Sequence, residues 1–264
     1  NNMNLNKNLS KIYKNIIFYL KPKVNLDKQN LNFKTLDEFF NFFGTDKGTE
    51  VINPYTENPS DLIGHSYGKF YERHLDVFKT KSIDFLEIGT WKGGSTASFY
   101  HYFKNANIIC LDRNFKFEYT SKRINFFNCN TGSNMEIKKL ERFLEQKKLE
   151  NFDVIIDDGS HIYSEILKNF EIFFKKIKPG GYYIIEDFNS YKCFEYLNDT
   201  NKDSIDIENI LENLKSKIYF SSPHLSENFQ KFCFDEISEI HTYKGENYEK
   251  ETNISTIAFI KRKN

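Results

Sequence analysis

The chain has no close cysteine pair. Its four cysteines, Cys110, Cys129, Cys193 and Cys233, are widely separated, so the CxxC spacing of a zinc site is missing. They read as reduced, buried thiols of a cytoplasmic protein. No apolar run is long enough to span a bilayer. The run Ile16-Ile-Phe-Tyr-Leu20, set between lysines, is also too short for a secretory core with its cleavage site. It reads as an amphipathic helix packed on the main body, with contact to a membrane surface as the alternative. Neither sign of charge dominates: Lys+Arg and Asp+Glu are 37 each. The basic field that nucleic-acid binding requires is therefore missing. There is one Trp against 27 Phe and 16 Tyr. That skew, with the heavy use of Asn and Lys, reads as genome composition rather than chemistry. No internal repeat is present.

What remains is an ordinary globular composition, 39% hydrophobic and 28% charged over 264 residues. That length buries a full core. Residues 1 to about 80 show no alternation of strand and helix. Leu36–Phe43 and Tyr67–Phe78 look helical, while Gly44–Gly48 and Asn53–Pro59 carry loop chemistry. From Ile83 onward strands and helices alternate. Strands are expected at Ile83–Ile88, Asn107–Leu111, Ile124–Phe127, Phe152–Ile156 and Tyr182–Ile185. Helices are expected at Gly94–Phe103, Met135–Lys148, Ile162–Ile177 and Ile207–Ile218, the third stopped by Lys178-Pro-Gly-Gly181. Ile237–Tyr243 and Ile254–Ile260 would close the sheet as an antiparallel pair. The expected fold is α/β: a Rossmann-like, doubly wound, mostly parallel sheet over residues 81–264, with a helical, loop-rich N-terminal cap over residues 1–80.

Two of these strands end in acids. Val154-Ile-Ile156 runs into Asp157 and Asp158, with His161 three residues on. Tyr183-Ile-Ile185 runs into Glu186 and Asp187. Ligands of open parallel sheets sit beyond the carboxyl ends of the strands. Four carboxylates and an imidazole would thus meet at one crevice, a concentration that a bound divalent cation with oxygen ligands resolves.

The first strand leads into Leu86-Glu-Ile-Gly-Thr-Trp-Lys-Gly-Gly-Ser95. The glycines permit φ > 0, and the helix N-terminus beyond offers unpaired N–H groups. Trp91 stands where the dinucleotide G-x-G-x-x-G needs its second glycine, which counts against a pyrophosphate and a nicotinamide oxidoreductase. Glu87 repels phosphate and suits a cationic amino group or sulfonium. Asp112, ending the second strand, can accept both hydroxyls of a ribose. Together they favour an adenosine-containing ligand.

Glu87-x-Gly89-x-x-x-Gly93 followed by Asp112 resembles the first motifs of class I S-adenosylmethionine-dependent methyltransferases. Thr45-Asp-Lys-Gly48, His65-x-Tyr67, Asp157-Asp-Gly-Ser-His161 and Ile185-Glu-Asp187 together resemble the narrower group of metal-dependent O-methyltransferases of macrolide sugars, the mycinamicin and macrocin enzymes. The resemblance spans roughly residues 40 to 262. It implies Mg²⁺ (or Mn²⁺) on Asp158, Glu186 and Asp187, with His161 as general base. It implies S-adenosylmethionine held by Glu87, Gly89, Asp112 and the backbone near Gly93 and Ser95. Thr45, Asp46 and Lys47 would close over that cofactor, with Tyr67 nearby. Asn130 would approach the adenine, although Cys129-Asn-Thr-Gly132 departs from relatives that carry an acid there. Asp157 points away from Asp158 along the strand and is expected to serve the cofactor or a helix cap. The implied partner is a small-molecule sugar; an assembly of identical copies is left open. A different metal-chelating acceptor, such as a phosphoramidate or catechol, and a non-catalytic binding module are the competing readings.

Overall fold

The computed structural model describes residues 13–50, 64–249 and 251–264. The loop expected at Asn53–Pro59 lies outside them, as does the first part of the N-terminal segment. Seven strands form one sheet. They are β1 (Ser82–Ile88), β2 (Asn105–Asp112), β3 (Ile124–Asn128), β4 (Phe152–Asp157), β5 (Ile177–Glu186), β6 (Ile237–Lys244) and β7 (Thr256–Arg262). Their spatial order is β3-β2-β1-β4-β5-β7-β6. Strands β1 to β5 are mutually parallel, and β7 enters antiparallel between β5 and β6. This is the doubly wound, Rossmann-like sheet with a closing antiparallel pair. A separate antiparallel ladder joins Tyr248–Glu249 to Thr252–Asn253.

Central strands buried on both faces need continuous apolar runs, and alternate residues then feed opposite layers. Leu86, Ile88, Ile109, Leu111, Ile155, Tyr183 and Ile185 enter one core. Phe85, Ile108, Val154, Ile156, Tyr182 and Ile184 enter the other. On the first face lie α4 (Asn134–Lys147), α5 (Tyr163–Phe173), α6 (Ile207–Ser216) and α7 (Glu227–Glu236). The second face is covered by α1 (Leu36–Phe43), α2 (Gly68–Leu75) and α3 (Gly94–Tyr102). Helices α1 and α2 belong to the segment expected as a cap. They share a single core with the sheet through Leu36, Phe39, Phe40, Tyr71 and Leu75.

Three details differ from the sequence expectation. The helix expected to reach Ile177 stops at Phe173, and a 3₁₀ turn covers Phe174–Lys176. The stop signal Lys178-Pro-Gly-Gly181 lies inside β5 rather than before it. Phe152 pairs with Ile177 but Val154 pairs with Tyr182, so the proline and glycines form a bulge, where a missing N–H and a positive φ do no harm. Gly180 takes φ +75° there. Helix α7 was not expected. It starts at an N-cap Ser226 whose side chain accepts from the Phe229 amide.

Candidate active site

The turn after β1 is built tightly. Gly89 sits at φ +87°, and a Cβ there would lie 1.7 Å from the Asp158 carbonyl oxygen. The Asp158 amide in turn donates to the Ile88 carbonyl at 2.9 Å. The glycine turn and the acidic turn after β4 are therefore in direct backbone contact. Gly93, at φ +94°, leaves no room for a Cβ against the Phe117 and Tyr119 rings, and it starts α3. A Cβ on Gly94 would lie 3.5 Å from that of Thr45, which places the 45–48 loop against this helix start.

Glu87 is fully buried. Its Oε2 accepts from Thr96 Oγ1 at 2.5 Å, while Oε1 has no partner. Burial pushes its carboxyl up to about 7, against the pull of Lys47, Ser95 and Thr96. A buried acceptor without a donor is costly, so this oxygen suits a donor or cation brought by a ligand. Asp112 accepts from the Trp91 amide at 2.8 Å and the Asn114 amide at 2.6 Å. Two backbone donors fix the carboxylate, and each oxygen keeps a lone pair for a hydroxyl. Burial raises its pKa.

Lys47 is the centre of the acidic site. Its side chain is almost wholly buried, and Nζ donates to Asp158 Oδ2 at 2.5 Å and Glu186 Oε2 at 2.6 Å. Burial alone would lower its pKa; Asp158 and Glu186 outweigh this and hold it well above the usual lysine range. The loop is pinned by backbone bonds, with His65 donating to the Asp46 carbonyl, Ser66 to that of Gly48 and Tyr67 to that of Lys47. Burial opposes ionisation of the neighbouring Asp46, yet its closeness to His65, Lys47 and His161 keeps its carboxyl below the usual range. Tyr71 OH donates to Glu186 Oε1, and Tyr67 OH donates to Asp187 Oδ1. Burial and these carboxylates keep both phenols protonated.

Asp187 takes φ +51° and His161 φ +56°. Non-glycine residues in that region are strained and collect at functional sites. For Asp187 the consequence is geometric. Glu186 follows the strand alternation onto the α2 face, and the left-handed turn at Asp187 swings the next carboxylate round to Asp158 and His161. One ligand atom from each of Asp158, His161 and Asp187 lies within 4.8 Å of the others. His161 Nε2 is 3.5 Å from Asp158 Oδ1, and His65 Nδ1 is 3.4 Å from Asp187 Oδ1. Hard carboxylates with no thiolate among them suit Mg²⁺ or Mn²⁺ better than a thiophilic metal. Glu186 stands outside this group, engaged by Lys47 and Tyr71.

Of the residues singled out in the sequence, Lys47, Tyr67, Asp158, His161, Glu186 and Asp187 meet here, with Glu87, Gly89, Gly93, Ser95 and Thr45 along the adjoining turn. Asp112 lies at the next strand end. Two lie apart. Asp157 faces the α5 layer, where it accepts from Asn169 Nδ2 at 3.3 Å and Tyr183 OH at 3.1 Å; burial pushes it up to about 7. Asn130 is exposed, and its Oδ1 accepts from the Gly132 amide at 3.1 Å. Tyr71 was not anticipated, although its spacing of four from Tyr67 stacks both phenols on one helix face. Ser255, whose Oγ lies 2.7 Å from His65 Nδ1, gave no local signal.

Residues 86–188 match the family model described as a methyltransferase domain. Over 130 residues the chain is 31% identical to mycinamicin VI 2''-O-methyltransferase of Micromonospora griseorubida, covering 47% of this chain and 31% of that protein. It is likewise 31% identical over 130 residues to demethylmacrocin O-methyltransferase of Streptomyces fradiae, covering 47% and 32%. The match thus spans about a third of each relative's length. Among solved structures, the mycinamycin-pathway methyltransferase MycE, in complex with Mg and SAH, superposes with a TM-score of 0.63 at 23% identity. That superposition covers 88% of this chain and 55% of the other. Over residues 86–188 the chain is therefore similar to methyltransferase domains, and over about half its length to the macrolide-sugar O-methyltransferases.

Proposed function

We propose that this protein transfers a methyl group from S-adenosylmethionine to a sugar hydroxyl, with Mg²⁺ at the acidic site. The observation that carries the reading is the backbone contact between two turns. The Gly89 turn suits a cationic, ribose-bearing donor, and the Asp158 turn adjoins it with a metal-binding set. Similarity to sugar O-methyltransferases supports the acceptor class. A nucleotide sugar or a glycoside precursor of a surface polysaccharide is the acceptor that this reading favours.

In this reading Glu87 Oε1 accepts from the donor's amino group and Asp112 accepts from its ribose. Thr45 and Lys47 close the site from the α1 side. Mg²⁺ held by Asp158 and Asp187, with Glu186 as the third acid that the family resemblance implies, would bind two adjacent acceptor hydroxyls and acidify one of them. His161 accepts the proton released from that hydroxyl. The oxygen takes the methyl group from the sulfonium in line, and a neutral thioether leaves. Alignment of donor and acceptor supplies much of the acceleration.

The test is incubation with methyl-labelled S-adenosylmethionine and a panel of nucleotide sugars, with and without a chelator. Label should enter a sugar, cease with chelation and return with Mg²⁺. Calorimetry should show S-adenosylhomocysteine binding throughout. Transfer that survives exhaustive metal removal would overturn the metal's role. Failure of both adenosyl compounds to bind at millimolar concentration would overturn the whole reading.

A further inference from the structure

Residues 13–20 are helical and lie along the edge of the sheet beside β3. A helix docked on a globular body normally turns its apolar stripe inward. Here the stripe faces out. Tyr13, Ile16, Ile17 and Leu20 have the i, i+3, i+4, i+7 spacing of one helix face. They are 66%, 53%, 39% and 74% exposed. Among the described residues of this helix only Phe18, from the opposite side, is buried, at 4% exposed. Its ring packs on Phe115 and Phe126, with Lys23 Nζ 3.3 Å above it. The outward stripe is therefore not a docking face for this chain's own core.

The charge pattern selects the occupant. The first 26 residues contain Lys7, Lys11, Lys14, Lys21 and Lys23 and no acidic residue. Lys14 lies beside this stripe within the helix, and Lys21 and Lys23 follow directly after its end. An apolar face edged by lysines and carrying tyrosines is the pattern of a helix lying in an anionic lipid interface. A second copy of this helix would bring like charges together across the contact, with no acid to meet them.

We propose that this segment lies on the surface of an anionic membrane, with Tyr13, Ile16, Ile17 and Leu20 among the acyl chains and the lysines at the headgroups. It does not cross the bilayer; no helix among the described residues is long and apolar enough to do so. The inference is independent of the reaction proposed above.

The test is co-sedimentation of the full chain with phosphatidylglycerol/phosphatidylethanolamine vesicles and with pure phosphatidylcholine vesicles, alongside light scattering without lipid. The protein should pellet with the anionic vesicles and be released by high salt. Partition should fall about tenfold or more for the double variant Ile16→Ser/Leu20→Ser, and similarly for Lys14→Glu/Lys21→Glu. All four side chains are exposed, so melting temperatures should match the parent, which separates lost binding from lost fold. Equal partition onto both vesicle types, or no loss in either variant, would overturn the proposal. So would a dimer in solution that Ile16→Ser/Leu20→Ser dissociates, because that assigns the stripe to a second copy.

Discussion

Lys47 is the residue on which the acidic site depends. It bonds both Asp158 and Glu186 from a nearly fully buried position. Removing one partner of a buried ion pair leaves uncompensated charge, typically about 3–5 kcal/mol. Lys47→Met should lower the unfolding free energy from urea titration by that order, and added Mg²⁺ should restore part of the loss by binding the vacated carboxylates. A variant as stable as the parent, or one that Mg²⁺ leaves unchanged, would contradict this account of the cluster. Asp157 makes a different prediction. Its folded pKa is about 7 because of burial, against an ordinary 3.8. The folded state thus holds the proton over a range in which the unfolded chain has released it. Stability from this group is full below pH 3.8 and is lost as pH rises to about 7. Asp157→Asn, which keeps an acceptor for Tyr183, should gain stability relative to the parent by about 1–3 kcal/mol between pH 5 and 8. Urea titrations at both pH values check the slope; a constant difference would refute it. At this scale much of the site was legible, because acids that end apolar strands have few other uses. What could not be read was the bonding among them. Nothing local ties Lys47 to Glu186, 139 positions away, and Tyr71 showed only its helical spacing from Tyr67.

Elements are held by contacts that periodicity does not encode. The C-terminus of α3 leaves carbonyls without helical partners. Arg123, just before β3, supplies two of them: Nη1 donates to the Phe103 carbonyl at 3.1 Å and Nη2 to that of Tyr100 at 3.0 Å, while Nη1 also reaches the Ala106 carbonyl of β2 at 3.0 Å. Its guanidinium also lies 3.8 Å from the Tyr100 ring centroid. Because α3 begins at the Gly93 turn, this clamp at its far end also steadies the cofactor side of the crevice. Arg123→Met should cost about 1–3 kcal/mol, the scale of carbonyls left unsatisfied, and Arg123→Lys should recover little, since one ammonium cannot reproduce the planar fork. Chemical denaturation of the two variants decides the point. The strand and helix order was readable because central parallel strands are apolar throughout. Two features escaped. The Lys178-Pro-Gly-Gly181 signal was read as a boundary but forms a bulge within β5, since punctuation residues mark irregular backbone without saying whether the strand resumes. Helix α7 has Phe229, Phe232 and Cys233 at helical spacing after Ser226, but its mixed aromatic and charged run resembled loop.

On the scale of the whole molecule, the sequence divides near residue 80 and the packing does not. Leu36, Phe39, Phe40, Tyr67, Tyr71 and Leu75 join Phe85, Ile108, Val154, Ile156 and Ile184 in one cluster. One face of the central sheet is therefore covered largely by residues that precede it in the chain. The same segment brings Lys47, Tyr67 and Tyr71 to the carboxylates of β4 and β5, so the fold and the acidic site draw on one set of contacts. The pattern change at Ile83 marked a change of secondary structure, and sequence periodicity carries no information on which layers share a core. A chain beginning at residue 81 would expose the apolar face under α1 and α2, strip Asp158 and Glu186 of their cation, and keep only α3 of these three helices on that side. Large apolar faces without cover do not persist in a soluble fold. The truncated chain should show no cooperative melting transition and no S-adenosylhomocysteine binding, while the full chain shows both. Circular dichroism on heating, followed by calorimetry, tests this directly. A truncated chain that melts cooperatively and still binds the compound would restore the cap as an independent unit, and would leave Lys47 as a gate over the site rather than part of its foundation.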